Sequence, residues 1–226
     1  MFNALKGWIG EKKTSLNIWF SLDKATYTCF HNLILPSHNG TTQIDHLIIS
    51  KYGLFIVETK NIKGWIFGHK DSAKWTLSLY RNKYSFQNPL RQTYRQQKVL
   101  SEFLNIDENL IKTVIYFNGK CRLRTPLPSN VIKSGLGRYI KSFRTPKLDL
   151  NHEQYVIHLI QAYVSTTALT THDHVKSLKN RHNSTLHCPH CSSSLVKRVS
   201  KSGYYKGSYF LGCSNYPKCR YTKTYK

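Results

Sequence analysis

Cys188-Pro-His-Cys191 is followed, after 21 residues, by Cys213-Ser-Asn-Tyr-Pro-Lys-Cys219. Two cysteine pairs on two short turns can set four thiolates tetrahedrally around one Zn²⁺, at about 2.3 Å each. That restricts the segment to a small hairpin strung between the turns, with Gly203, Gly207 and Gly212 available for its bends. A piece this short cannot bury enough apolar surface to fold alone, so the metal would supply its folding free energy. A redox pair at Cys188 and Cys191 is the alternative, but it leaves Cys213 and Cys219 without a role. His187 and His190 are spare ligands that four cysteines make unnecessary. Cys29 and Cys121 lie apart in apolar surroundings. A secreted disulfide framework spreads its cysteines differently, so the pattern suits a reducing cytoplasm.

The charge balance points to a partner. Lys and Arg outnumber Asp and Glu by 34 to 11, a formal net charge of +23. Each cation set on a phosphate releases condensed counterions, so a polyanion is the natural ligand. After Asp173 there is no acidic residue, while eleven Lys or Arg follow. Here Tyr204, Tyr205, Tyr209, Phe210, Tyr216 and Tyr221 interleave with Lys197, Arg198, Lys201, Lys206, Lys218 and Arg220. Aromatic rings stack on unpaired bases and cations track the backbone. So small a fold also needs rings in its core, and Phe210 is the first choice for that role. No run of about 18 apolar residues is present, so no membrane span is expected. Met1 to Gly10 lacks the basic start and apolar core of a signal peptide.

This C-terminal stretch resembles the zinc fingers at the C-terminus of bacterial type I topoisomerases. The likeness rests on Cys188-Pro-His-Cys191, Leu195-Val-Lys-Arg198, Tyr209-Phe-Leu-Gly-Cys213 and Ser214-Asn-Tyr-Pro-Lys-Cys219. It implies single-stranded DNA binding.

Upstream, the periodicity alternates between helix and strand. Leu5, Trp8, Ile9, Leu16, Trp19 and Phe20 share a face at helical spacing over residues 3–22. Residues 25–35 read as a strand, with Tyr27, Cys29, Leu33 and Leu35 alternating. Residues 43–50 and 54–59 are apolar runs joined by Lys51-Tyr-Gly, a hairpin pattern. Short strands follow at 65–68 and 75–80. A helix spans 90–105, opened by Pro89 and capped by Asn88. Residues 113–117 and 130–133 read as further strands. Residues 151–164 form a last helix, with Asn151 and Gln154 resembling a capping box.

Two carboxylates interrupt apolar strands. Asp45 lies in Ile44-Asp-His-Leu-Ile-Ile and Glu58 ends Leu54-Phe-Ile-Val57. A carboxylate there is costly unless it is paired or binds metal. Alternation sets Glu58 and Lys60 on one face, and the hairpin can bring Asp45 alongside. Hard oxygen ligands suit Mg²⁺, which activates water and stabilises charge on a phosphate. A structural ion pair between Glu58 and Lys60 is the competing reading.

Residues 8–118 resemble the nuclease-related domain (NERD), a branch of the PD-(D/E)XK nuclease superfamily. The matching motifs are Gly10-Glu11, Gln43-Ile-Asp-His46, Gly53-Leu-Phe-Ile-Val-Glu-Thr-Lys-Asn61, Gly64-Trp-Ile-Phe-Gly68 and Gln87-Asn-Pro-Leu-Arg-Gln92. The resemblance implies an α/β fold, restriction-endonuclease-like, with a mixed central sheet flanked by helices. It implies Asp45, Glu58 and Lys60 as the catalytic set, with Glu11 as an additional acid and Gln92 as a polar helix position near the site. Glu11 could instead be a solvated helix residue, Gln92 a surface residue and Asn88 a cap alone. Trp65 and Trp75 fit the core, and His46 fits a satisfied strand position.

The expected organisation is a nuclease-like domain over 1–164, a polar linker over 165–187 and a four-cysteine, zinc-ribbon-like finger over 188–226. The expected activity is hydrolysis of DNA with Mg²⁺ or Mn²⁺, beside a structural Zn²⁺, in a bacterial cytoplasm at the nucleoid. A non-catalytic DNA-binding accessory with the same fold is the alternative. An RNA-binding or protein-interaction adaptor is a third class.

Overall fold

A computed structural model describes residues 14–18, 20–38, 40–166, 169–189, 191 and 193–225. The chain divides into two units: residues 1–35 with 43–168, and residues 36–42 with 169–226.

The first unit is built on a five-stranded sheet in the order β1(Thr28–Ser37), β2(Gly40–Ser50), β3(Gly53–Thr59), β7(Ile111–Tyr116), β9(Val131–Ile132). β2 and β3 form the expected hairpin, antiparallel from Ser50↔Gly53 to His46↔Val57. Gly53 turns with φ +120, and a Cβ there would meet the Leu110 carbonyl oxygen at 2.7 Å, so only glycine fits. β3 pairs parallel with β7, and β7 with β9, so the sheet is mixed. A second sheet runs β6(Asn82–Gln87), β5(Lys74–Leu79), β4(Gly64–Phe67), β8(Cys121–Leu123).

Helices cover both faces of the five-stranded sheet. α1(Pro89–Leu104) and α3(Leu150–Thr166) close one face, where Val99, Leu100, Val156 and Ile160 pack with Leu47, Ile49, Leu54 and Ile56. On the other, α2(Leu136–Lys141) and Ile18 and Leu22 pack on Ile48, Phe55, Val57 and Val114. β3 is buried along its whole length, as a central strand sandwiched between helices must be.

Several local expectations need correction. Residues 14–18 are helical, but Leu16 and Phe20 are 56% and 76% exposed, whereas Ile18 is buried. Thr14, Ile18 and Leu22 recur every four residues and define the inward stripe. Leu5, Trp8, Ile9 and Trp19 lie outside the described residues. Strand β6 was not expected, because its turn at Tyr80-Arg81 carries no turn residue: Tyr80 itself takes φ 54. The cap of α3 is Asp149, which accepts from the His152 amide at 2.8 Å, rather than Asn151. Within the stretch expected as a linker, residues Thr171–Asn183 form helix α4. Thr170 and Asp173 cap it reciprocally, each accepting from the other's amide, at 3.2 and 2.9 Å. Trp75 is core, but Trp65 is 47% exposed.

Asn88 is a cap and more. Its Oδ1 accepts from the Leu90 amide at 2.9 Å, and its Nδ2 reaches the carbonyls of His69, Lys70 and Ser72 at 3.2, 3.0 and 2.7 Å. It is fully buried and ties the 68–73 loop to the start of α1. Asn88→Ala is therefore expected to cost about 2–4 kcal/mol, a lost cap plus stranded carbonyls. Asn88→Asp, which keeps the cap acceptor alone, should recover only the cap part in a denaturant titration.

Candidate functional site

The acidic residues meet where β2, β3 and α1 come together. One step beyond the paired His46↔Val57, Asp45 comes level with Glu58. Asp45 Oδ2 accepts from the Thr59 amide at 2.9 Å. Backbone geometry then holds that oxygen within about 5.5 Å of the Glu58 Cα. Glu58 is 2% exposed. Its Oε1 receives Lys60 Nζ at 2.5 Å and its Oε2 receives Gln96 Nε2 at 2.8 Å. Lys60 Nζ also donates to Gln92 Oε1 at 3.1 Å, and Gln96 Nε2 to the Gln43 carbonyl at 2.8 Å. Gln92 and Gln96 sit one turn apart on α1, so both point the same way. The helix thus lays two amides across the Glu58–Lys60 pair. One residue from Asp45, His46 is fully buried, with Nδ1 2.8 Å from His31 Nδ1. Burial, with the neighbouring His31, pushes its pKa down to about 3 and keeps it neutral.

The second unit carries the cysteines. β10(Leu195–Val199), β11(Tyr209–Cys213) and β12(Thr222–Thr224) form a three-stranded antiparallel sheet. The turns at Cys188 and Cys219 flank it. One sulfur from each of Cys188, Cys191, Cys213 and Cys219 lies within 4.8 Å of all the others. Cys191 and Cys213 sulfurs are 3.3 Å apart, and Cys188 and Cys219 3.7 Å. A tetrahedron with about 2.3 Å metal–sulfur bonds has edges of about 3.8 Å, so the four sulfurs fit Zn²⁺. Leu195, Leu211 and Tyr221 pack around them.

The basic and aromatic residues divide around this sheet. Lys197 Nζ stands 3.9 Å from the Tyr209 ring centre and 4.4 Å from that of Tyr225. On the opposite face Arg198 lies across Gly212, where a Cβ would come 2.9 Å from its Cδ, and stands 5.8 Å from the Tyr216 ring. Lys201, Tyr204, Tyr205 and Lys206 are exposed in the loop between β10 and β11, with Tyr204 96% exposed. Lys218 and Arg220 are exposed on the last turn. Arg198 and Tyr221 are half-buried. Phe210 is half-buried, short of the core role expected for it.

Residues 6–118 match the nuclease-related domain family, and residues 186–226 match the topoisomerase DNA binding C4 zinc finger. The first match spans half of the chain. This chain belongs to the NERD family. An uncharacterized protein of Bacillus anthracis is 34% identical over 182 residues, covering 78% of this chain and 85% of the relative. No solved structure matches. The mixed sheet flanked by helices and the small three-stranded module agree with the fold expected for NERD joined to a zinc ribbon. Within the NERD part, Asp45, Glu58, Lys60 and Gln92 come together, while Glu11 lies outside the described residues. Gln96 was missed. Its signal is its place one helical turn beyond Gln92, a buried polar residue on a stripe that continues into Val99 and Leu100. Tyr225 and Lys223 were also missed in the zinc module. They lie on β12 or just beyond it, past the cysteines that define the motif.

Proposed function

We propose that this NERD protein is a metal-dependent nuclease that hydrolyses DNA phosphodiester bonds, with its zinc finger binding single-stranded DNA. The convergence of Asp45, Glu58 and Lys60 under the two amides of α1 carries the reading. The donor chemistry suits a hard cation, and the buried Gln96 Oε1 has no hydrogen-bond partner among the described residues, which leaves an oxygen donor to spare. Asp45 and Glu58 would hold Mg²⁺ or Mn²⁺, which supplies an activated water and charge stabilisation at the phosphate. Lys60 takes two roles in turn. Before substrate arrives it neutralises Glu58. With a phosphate present its ammonium orients the attacking water or meets the charge developing on the phosphate. Gln92 sets the height of that ammonium, and Gln96 fixes the rotamer of Glu58.

A second reading has one observation in its favour. Both oxygens of Glu58 are already engaged, by Lys60 and Gln96, as in a structural ion pair. That arrangement fits a DNA-binding accessory retaining a nuclease-like fold. A cleavage assay with purified chain, Mg²⁺ or Mn²⁺, and a Glu58→Gln control separates the two: no cleavage by the wild type under any metal sinks the nuclease reading.

For the zinc finger, the acid-free run after Asp173 sets an expectation. Affinity for single-stranded DNA should fall steeply with salt, with a log–log slope of about −0.7 per phosphate contacted. Removal of residues 188–226 should flatten that slope and weaken binding at least tenfold. Unchanged affinity would assign DNA binding elsewhere. In a bacterial cell such a chain would work at the nucleoid.

A further inference from the structure

The four-stranded sheet of the first unit has one face packed and one face open. Pairing of Trp75↔Phe86, Leu77↔Tyr84 and Ile66↔Leu77 puts Ile66, Trp75, Leu77 and Phe86 on the inner face, with Phe117 beneath. The intervening residues face outward. Trp65 stands level with Ser78 and Arg122, and Phe67 with Thr76. The register of β4 with β8, carried one residue further, brings Arg124 level with Phe67, and its amide donates to the Ile66 carbonyl at 2.9 Å. Lys74 and Lys83 lie on the same outward face. Trp65 and Phe67 are 47% and 37% exposed, and the Arg124 guanidinium lies 4.5 Å over the Trp65 ring. None of the four strands carries an Asp or Glu. The one acid in the β4–β5 and β5–β6 loops, Asp71, is 3.6 Å from His69.

We propose that this outward face is a docking platform for single-stranded DNA, separate from the zinc finger and from the acidic site. Exposed aromatic rings on a flat sheet offer stacking surfaces to unpaired bases, and an arginine laid over an indole extends the same surface. Lys74, Lys83, Arg122 and Arg124 complement phosphates. The same charge repels a second copy of the chain and disfavours a self-interface. An apolar protein partner has no use for four unbalanced cations. β4 begins four residues after Lys60, so its first residue lies within about 14 Å of that ammonium's backbone. The inference goes beyond the nuclease reading and does not depend on it, because binding is measured without hydrolysis.

The test uses the full-length, zinc-loaded chain, no added divalent cation, and an oligothymidylate of about 30 nucleotides, longer than the roughly 4–16 that one platform covers. Hydrogen exchange on the wild type should show protection over residues 64–67 and 121–124 when the oligonucleotide binds. The triple variant Trp65→Ala, Arg122→Ala, Arg124→Ala should bind about tenfold or more weakly. Its salt slope should drop by about 1.4, the share of two single-strand phosphate contacts. Arg122→Lys with Arg124→Lys should keep the slope. The thermal midpoint of the triple variant reports whether the sheet survives. Absence of protection on the wild type overturns the proposal irrespective of how the variant folds. So does wild-type affinity in a folded triple variant, an equal loss on duplex DNA, or protection by RNA or by anionic vesicles in place of the oligothymidylate.

Discussion

Glu58→Gln and Asp45→Asn should each lower the rate of DNA cleavage by at least about 100- to 1000-fold, the scale of removing one group that stabilises developing charge. These substitutions are the informative ones because each preserves shape and removes charge. Asn at position 45 can still accept from the Thr59 amide, and Gln at position 58 keeps the shape and one of the two oxygens that accept from Lys60 and Gln96. Alanine is less clean. Glu58 is almost fully buried and the Lys60 side chain is 21% exposed, so Glu58→Ala takes the carboxylate away from a largely buried ammonium that also donates to Gln92. Breaking one side of such a pair costs about 3–5 kcal/mol. A loss of activity there could be a loss of fold. Lys60→Met tests the ammonium separately: turnover should fall while metal affinity at Asp45 and Glu58 rises or holds, since a competing cation has gone. Calorimetric titration with Mn²⁺ measures that affinity. Wild-type rates in a folded Glu58→Gln protein would end the catalytic assignment and leave the ion pair as a structural device.

The two carboxylates of this site were readable because each broke a local rule. Asp45 and Glu58 are charges in apolar strands, and Lys51-Tyr-Gly between them names the hairpin that joins them. Gln92 came from family likeness, since a single glutamine on a helix has no local signature. Gln96 was hidden for the same reason: its importance lies in reaching Glu58 across 38 residues of sequence and the Gln43 carbonyl across 53, and periodicity records neither. The central strands, α1 and α3 were legible from periodicity, and α1 from its Asn88 cap as well. β6, β8 and α2 were not. β6 is mostly exposed and turns on a tyrosine, β8 is three residues long, and α2 is six, below the length at which a period can be seen. Helix α4 was legible after all in Thr170-Thr-His-Asp173, but its polar composition drowned the capping box.

The exposed face of the second sheet shows a different limit. Trp65 fits a core residue by composition, because tryptophan is mostly buried in folded chains. Its exposure follows from register: Ile66 takes the inward position on β4, so both its neighbours must point out. Which residue of an apolar triplet faces inward is decided by the partner strands. Here those are β5, seven residues on, and β8, more than fifty residues on.

Removal of zinc should produce the largest change in the second unit. The module's buried apolar set is small: Leu195 and Leu211 beside the cysteines, with Tyr221 half-buried against them. Full burial of a leucine contributes about 1.5–3 kcal/mol. So small a buried set cannot offset the conformational entropy of ordering the module, and side-chain packing alone falls short. Apparent zinc affinity in such sites amounts to about 10–16 kcal/mol and is folding free energy. One equivalent of zinc per chain is therefore expected, and Cys213→Ser should unfold residues 188–225 even with zinc in excess. Cys213 is the most telling choice. It is 2% exposed, pairs with Leu195 in the sheet, and its carbonyl accepts from Arg198 at 3.3 Å, so the ligand and the strand register fail together. Chelation should release the exchange protection of β10 and β11 and abolish the stacking of Lys197 between Tyr209 and Tyr225. Tyrosine ring resonances would then collapse toward random-coil positions. The unfolding transition of the first unit, whose core contains none of these residues, should stay within a degree or two. Retained dispersion in the metal-free module would mean that its fold rests on something other than the four sulfurs.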